Sequence, residues 1–148
     1  MRLLFTKGSG KYDTLDVRRD GGAAQRIDCP KQRIIPHDMV HFAVESVMAV
    51  RGFLSSLADG VPAAFAPGGK SGEAIERLVE TIQAEAWSGS ADAADLIALY
   101  EVACEARGHA VIPVDTAAID AIRARMADLT ARWDALPVGS SLELAFER

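Results

Sequence analysis

One long segment, residues 36–58, constrains the fold more than any other part of the chain. Its helical pattern is apolar over more than half of the circumference, from Met39 to Leu57, with Ser46 as the polar break on that side. A helix that is apolar over so much of its girth packs on several sides. The segment therefore predicts one central, largely buried helix from Pro36 to about Ala58, around which the rest of the chain is arranged.

Short strand patterns lie near both ends of the chain. Leu3 to Thr6, Tyr12 to Arg18 and Gln25 to Cys29 are rich in β-forming residues or alternate apolar with polar side chains, and a Gly-Gly turn joins the last two. The C-terminal run Leu142 to Phe146 alternates most cleanly, which is typical of a strand with one face in water. We expect a three-stranded antiparallel meander with the C-terminal strand beside it.

Three further helical patterns follow the central one. Ser71 is predicted to cap the second helix and Ser90 the third, which ends at Gly108. The fourth starts after Asp115, stops at Pro137, and carries a narrow apolar seam: Ile119, Ile122, Met126, Leu129, Trp133 and Leu136. Because so short a seam does not hold a free-standing coiled coil, we expect it to pack within the chain, with a homodimer through this helix as the alternative.

The predicted fold class is α+β. An antiparallel four-stranded sheet, made of three N-terminal strands and the C-terminal strand, is packed with about four helices. Residues 1–148 form a single domain, since no repeat, linker or charge block divides the chain. Hydrophobic residues make up 49% and charged residues 25%, a balance typical of folded soluble proteins.

Charge and cysteine content restrict the partners and the location. A formal net charge of −5, without a cluster of Lys and Arg, argues against binding to nucleic acid or to an anionic membrane surface. No segment approaches the length of a membrane span, and the first apolar run is too short for a signal peptide. Cys29 and Cys104 are too few and too far apart for a disulfide framework. We therefore expect a cytoplasmic protein whose partner, protein or small molecule, the sequence does not identify.

The chemically suggestive residues form a polar strip on the segment 36–58. At about 100° per residue, His37, His41, Glu45 and Asp38 share an arc of about 100°. His37 and His41 are one turn apart, so both imidazoles can reach one divalent metal ion such as zinc. Their spacing is similar to that of the His-Glu-x-x-His zinc motif, in which the acid is the general base. Asp38 stands in that place with a side chain one methylene shorter.

The candidate metal ligands are therefore His37 and His41, and Asp38 is the candidate catalytic residue. Glu45 is a weaker candidate ligand, because it can share an ion with His41 but lies about 12 Å along the helix from His37. A catalytic zinc ion also needs a third ligand. Otherwise the third ligand must come from elsewhere in the chain, with His109 or a carboxylate such as Glu73, Glu101 or Asp115 as candidates.

A simpler interpretation explains the same residues without a metal. Pro36 suits the first helical position, Asp38 favours the helix dipole, and the two histidines lie on a solvated face. Because no third ligand is identified, we favour this interpretation, and with it a small interaction or accessory domain of unassigned role. A metal-binding protein or metal-dependent hydrolase is the alternative, and the sequence does not decide whether the chain is an enzyme.

Two regions of the sequence resemble a known group of proteins. The first contains Cys29-Pro30, the run from Pro36 to Glu45, and Arg51-Gly52-Phe53, and the second is the closing segment from Gly139 to Leu144. Together they resemble small bacterial proteins of unassigned function that share a Pro-His-Asp-x-Val-His helix start. The resemblance covers about a third of the chain and implies no activity. It adds interest to the histidine pair but supplies no third ligand.

Overall fold

The computed structural model describes residues 1–65 and 69–147, without the side chains of residues 65 and 69–71. The predicted α+β fold is confirmed, with four strands in one antiparallel sheet of order β3-β2-β1-β4. The strands are β1 (Arg2–Thr6), β2 (Tyr12–Arg18), β3 (Gln25–Pro30) and β4 (Ser141–Ala145). The C-terminal strand lies beside the N-terminal strands, as predicted, and brings both ends of the chain into one sheet; its partner is β1.

The strand register follows from burial of one face of the sheet. Leu3 lies opposite both Val17 and Leu144, and Phe5 lies opposite both Leu15 and Leu142. Because side chains alternate between the two faces of a strand, a shift by one residue would turn this apolar set into water. Leu3, Phe5, Leu15 and Val17 are all completely buried.

Five α-helices and one short 3-10 turn (Ala63–Phe65) make up the helical part of the described chain. The helices are α1 (His37–Met48), α2 (Phe53–Ala58), α3 (Gly69–Ser88), α4 (Ala93–Ala106) and α5 (Thr116–Asp134). Helix α1 is central, in contact with α2, α3 and α5. No helix within residues 1–65 and 69–147 is both long and apolar enough to span a membrane.

The prediction of one continuous helix from Pro36 to Ala58 is wrong. Helix α1 ends at Met48, and Ala49 takes a left-handed conformation with φ of 51°. Gly52 then opens α2 in an extended conformation. Glycine is a poor helix former, and the interruption lets the first backbone N–H groups of α2 turn back onto Glu45 of α1.

The predicted ends of the later helices hold in part. Asp115 caps α5, since its Oδ1 accepts a hydrogen bond from the Ala118 N–H at 2.8 Å. Helix α3 begins at Gly69, two residues before Ser71, and the N-cap of α4 is Asp92 rather than Ser90. Both differences are two residues, which is the range over which helix ends fray.

The seam of α5 packs within the chain, as expected. Its residues Ile119, Ile122, Leu129 and Trp133 are buried, and the helix lies against α1 and α4. At its C-terminus, the Lys7 amine donates to the carbonyls of Trp133 and Leu136 at 2.7 and 2.9 Å. A cation at the C-terminal end of a helix satisfies carbonyls that have no partner within the helix.

Candidate metal centre

Three potential metal ligands converge where α1 meets α3. His37 and His41 project from α1, and Glu76 projects from α3; their ligand atoms all lie within 4.8 Å of one another. His41 Nε2 is 3.0 Å from Glu76 Oε2, and His37 Nε2 is 3.3 Å from Glu76 Oε1. Both imidazoles therefore turn the same ring nitrogen toward one carboxylate. We call these three residues the His–His–Glu cluster.

Packing of α3 on α1 places Glu76 in the cluster. Ala74, Ile75, Leu78 and Val79 form the buried side of α3. Glu76 lies at the border of that apolar side, so its carboxylate reaches the contact with α1 while staying one-third exposed. The local helical pattern thus delivers an acid to the edge of the helix–helix interface.

The other ring nitrogen of each histidine, Nδ1, contacts a side-chain oxygen that orients the ring. His37 Nδ1 is 3.0 Å from Gln83 Oε1, and His41 Nδ1 is 3.1 Å from Glu45 Oε1. Both partners are oxygens, which accept hydrogen bonds, so each Nδ1 carries the proton. Gln32 fixes the orientation of the Gln83 amide by donating to the same Oε1 at 3.1 Å. Nε2 is then the ring nitrogen left to bind a metal ion, once it gives up the proton that it shares with Glu76.

Glu45 lies behind His41 and is saturated with donors. Its carboxylate accepts the backbone N–H groups of Leu54 and Ser55 at 3.0 and 3.2 Å, and the Ser55 hydroxyl at 3.3 Å. Gly52 leaves room for this carboxylate, since an added Cβ would lie 2.6 Å from Glu45 Cδ. Glu45, the weaker candidate ligand from the sequence, therefore orients His41 and is not a member of the cluster.

Burial contradicts the prediction of a solvated polar strip. His41 and Glu45 are each only 2% exposed. The His37 ring stacks edge-on against the His41 ring, with centroids 4.8 Å apart, and Phe53 covers His41 from the side of α2. The strip faces the interior and a cleft between helices, and only its first turn, at His37, reaches water.

Hydrogen bonds within the cluster shift the pKa values of the two histidines and of Glu76. Burial lowers the pKa of His41, but hydrogen bonds with Glu45 and Glu76 outweigh it and raise the pKa to about 9. Hydrogen bonding to Glu76 likewise raises the pKa of His37, against the opposing effect of burial. Burial raises the pKa of Glu76, but its bonds with the two histidines hold that pKa well below its ordinary value. Without a metal ion, protons occupy the space between the imidazoles and the carboxylate.

A cleft of about 310 Å³ opens onto the cluster. Asp38, Phe53, Glu73, Arg77 and His109 complete its walls. The side chains of His37 and Glu76 are 38% and 34% exposed, so a small molecule can reach the cluster from this side. A site with three protein ligands and an open side is typical of catalytic rather than structural metal centres.

Asp38 occupies the base position of the motif but is tied to the core. Its Oδ2 accepts a hydrogen bond from the Cys29 thiol at 3.6 Å. Burial raises the pKa of Asp38, against the opposing effect of the two histidines. The carboxyl group therefore lines the cleft without joining the His–His–Glu cluster.

The sequence analysis did not single out Glu76, the third residue of the His–His–Glu cluster. Of the four residues considered for that role, His109 and Glu73 line the cleft, Asp115 caps α5, and Glu101 is exposed on α4. Glu76 and Gln83 are seven residues apart and therefore on one side of α3. That spacing is the signal in the sequence, but it does not say which helix this side meets.

Comparison of the chain with models of known protein families, with curated proteins and with solved structures found no match.

Proposed function

We propose that this protein binds a divalent transition-metal ion through His37, His41 and Glu76. One observation carries the proposal: both imidazoles donate Nδ1–H to a fixed oxygen and direct Nε2 toward the same carboxylate. Histidine ligands in metal sites donate their second ring N–H to a carboxylate, carbonyl or other acceptor, which fixes the tautomer and the ring. Glu45 and Gln83 are such acceptors here.

The donor set indicates the class of metal. Two imidazoles and one carboxylate suit Zn²⁺ and other first-row ions, including Fe²⁺ in open three-ligand sites. In a tetrahedral zinc site, ligand atoms about 2.1 Å from the ion lie about 3.4 Å from each other. The two Nε2–Oε separations, 3.0 and 3.3 Å to the two oxygens of Glu76, are close to that value, while the ligand atoms of the three residues spread over as much as 4.8 Å. A metal ion replaces the protons that otherwise join these atoms.

The test is metal binding by the full chain, with a matched pair of variants. After treatment with EDTA and desalting, wild-type protein should bind one equivalent of Zn²⁺ or Co²⁺ and melt at a higher temperature when loaded. Glu76→Gln should lose most of this affinity. Glu73→Gln is the control, because Glu73 lines the same cleft on the same helix but is outside the cluster.

Two results would contradict metal binding. The first is wild-type protein that gains neither metal nor melting temperature with Zn²⁺, Co²⁺, Mn²⁺, Ni²⁺ or anaerobic Fe²⁺. The second is Glu76→Gln protein that binds as tightly as the Glu73→Gln control. Co²⁺ adds a spectroscopic readout, since its visible absorption reports the number and type of ligands.

Hydrolysis by a metal-bound water is the reaction that such an open site supports. Asp38 would be the base by its place in the motif, yet its bond with Cys29 and its place outside the cluster oppose that role. The proposal is therefore metal binding, with hydrolysis as an activity to test. Comparing zinc-loaded wild-type and Asp38→Asn proteins on ester and phosphoester substrates is the direct assay.

A cytoplasmic location and a homodimer through α5 are expectations from the sequence. The apolar seam of α5 lies against α1 and α4 of the same chain, so a dimer would use the outer side of that helix. Sedimentation velocity of the metal-free and zinc-loaded protein measures the oligomeric state.

A further inference from the structure

A buried arginine lies beside the His–His–Glu cluster with donors that have no acceptor. Arg77 is on α3, next to Glu76, and only 6% of it is exposed. Its Nη2 is 3.0 Å from Glu80 Oε1. Its Nε and Nη1 have no hydrogen-bond partner in the described part of the chain, and both atoms are shielded from solvent. Buried polar groups in folded proteins are normally paired, so these two donors point to a missing partner.

His109, which lines the same cleft, also has a polar atom without a hydrogen-bond partner in the described part of the chain. Its Nδ1 is buried and has no hydrogen-bond partner among the described residues. The turn that ends α4 fixes the backbone of His109, because Gly108 adopts a φ of 67° and the His109 N–H bonds to the Cys104 carbonyl at 2.9 Å. Two separate elements, α3 and this turn, thus contribute Arg77 and His109 to the lining of one cleft, and each residue has a solvent-shielded nitrogen without a partner in the described chain.

Arg77 shares its ion-pair partner with a second guanidinium, although three carboxylates also line the cleft, those of Asp38, Glu73 and Glu76. Glu80, its only ion-pair partner in the described chain, is 43% exposed and is shared with Arg107, whose Nη2 lies 3.9 Å from the second oxygen. Two guanidinium groups therefore meet one carboxylate. A divalent ion bound at the His–His–Glu cluster would add to this positive charge.

We propose that the cleft binds a small molecule through an oxyanion, with Arg77 as the cationic partner and His109 as a further hydrogen-bonding group. This inference rests on the proposed metal site, beside which the oxyanion would lie. A guanidinium has only donors and matches the geometry of carboxylate and phosphate oxygens. Its long side chain can turn toward the cleft at the cost of a half-exposed ion pair with Glu80. A volume of about 310 Å³ fits a small metabolite rather than a polypeptide.

The experiment measures anion binding by the full chain in two forms. Metal-free protein and zinc-loaded protein, desalted to remove free zinc, are titrated with inorganic phosphate and separately with acetate. The two probes distinguish a phosphate-bearing from a carboxylate-bearing ligand. Binding of either probe should weaken on the order of tenfold to hundredfold in Arg77→Met, as expected for loss of hydrogen bonds to a charged group. Arg77→Lys should keep part of the affinity, and His109→Ala should show a smaller loss.

Arg107→Met is the matched control, because Arg107 shares Glu80 but is 57% exposed. It should leave the affinity within about twofold, since exposed ion pairs contribute little. If Arg77→Met does not fold, the wild-type protein still gives an answer. The NMR signal of the Arg77 Nε–H should shift during the titration, and its assignment can be made with the Arg77→Lys variant.

The outcomes separate this inference from the proposed metal site. Zinc binding with no binding of phosphate or acetate overturns the oxyanion subsite alone. Anion binding that is unchanged in Arg77→Met, with an unmoved Arg77 signal, also overturns it. Anion binding that depends on Arg77, in a protein that takes up no zinc when zinc is added, supports the subsite and contradicts the metal site.

Discussion

His41 and Glu45 form a buried pair one helical turn apart, with Nδ1 of the imidazole 3.1 Å from Oε1 of the carboxylate. The same carboxylate receives the first backbone N–H groups of α2, at Leu54 and Ser55. One side chain thus orients a candidate metal ligand and joins the two helices that the break at 49–52 separates. Orientation of the cluster and stability of the fold are consequently coupled.

Neutralising Glu45 should weaken both functions of this pair. Glu45→Gln keeps the shape but loses the charge that strengthens the bonds to His41 and to α2. We expect zinc affinity to fall about 10- to 100-fold, as for other groups that orient metal-binding histidines. The metal-free protein should lose about 1–3 kcal/mol of unfolding free energy.

Competition with a chromophoric chelator measures the zinc affinity of Glu45→Gln, and urea unfolding in EDTA measures its stability. Glu143→Gln on the exposed face of β4 is the control. Zinc affinity equal to that of the control would show that Glu45 does not position His41.

A methyl group at Gly52 should act on the site through Glu45. The Gly52 backbone is extended, with φ of −135°, so alanine is allowed there by conformation. The added Cβ would nevertheless meet Glu45 Cδ at 2.6 Å, within the buried contact between α1 and α2. We expect Gly52→Ala to cost about 1–3 kcal/mol, as overpacking does, and to weaken zinc binding in the same direction as Glu45→Gln.

Gly10→Ala is the matched control for the Gly52 substitution, since a Cβ at Gly10 would meet nothing within 4 Å. Thermal unfolding of both variants, with and without zinc, separates the loss of stability from the loss of affinity. A Gly52→Ala protein as stable as Gly10→Ala would mean that the Glu45 carboxylate has room to move.

The metal-free protein should lose stability as the pH rises from about 6.5 to about 9, the ordinary and the folded pKa of His41. A raised folded pKa means that the folded state binds the proton more tightly, so the contribution is complete below 6.5 and disappears above 9. The lowered pKa of Glu76 acts in the opposite sense and favours the fold above 4.5, its ordinary value. Zinc binding should release protons between pH 6.5 and 9, and the affinity of the protein for zinc should rise with pH over that interval.

Urea midpoints in EDTA at several pH values measure this dependence. In Glu76→Gln the loss of stability between pH 6.5 and 9 should be smaller, because one of the two partners that raise the pKa of His41 is gone. An equal loss in both proteins would place the titrating group elsewhere.

Tyr100 should stabilise the segment that carries His109. Its hydroxyl donates to the Ile112 carbonyl and accepts from the Ile112 N–H, both at 3.0 Å. Tyr100→Phe removes both bonds and leaves two backbone groups without them, so we expect a loss of about 1–3 kcal/mol. Hydrogen exchange at residues 109–114 should increase.

Tyr12→Phe is the comparison for Tyr100, because Tyr12 is 53% exposed and exposed substitutions change stability by no more than about 0.5 kcal/mol. Zinc affinity should be unchanged in Tyr100→Phe, as the hydroxyl is outside the His–His–Glu cluster. Equal stability of the two variants would contradict the role of this bond pair.

Much of the fold could be predicted from local pattern. Alternation at Leu142 to Phe146 predicted that one face of β4 is buried, and its place beside the N-terminal strands was also predicted, whereas its pairing with β1 came from the structure. The break after Met48 could not be predicted in the same way. Apolar residues continue at helical spacing beyond Met48. The reason for the break becomes visible only in the structure, where the Leu54 and Ser55 N–H groups bond to the Glu45 carboxylate.

The sequence by itself determined that His37 and His41 share one side of a helix, because the angle between residues four apart is a local property of the backbone. It also determined that this helix is central, because so apolar a surface must be covered. Only the tertiary structure decided that Glu76 meets both imidazoles and that Arg77 and His109 line the same cleft. These residues come from separate elements, and no short-range rule specifies which helix the apolar side of α3 packs against.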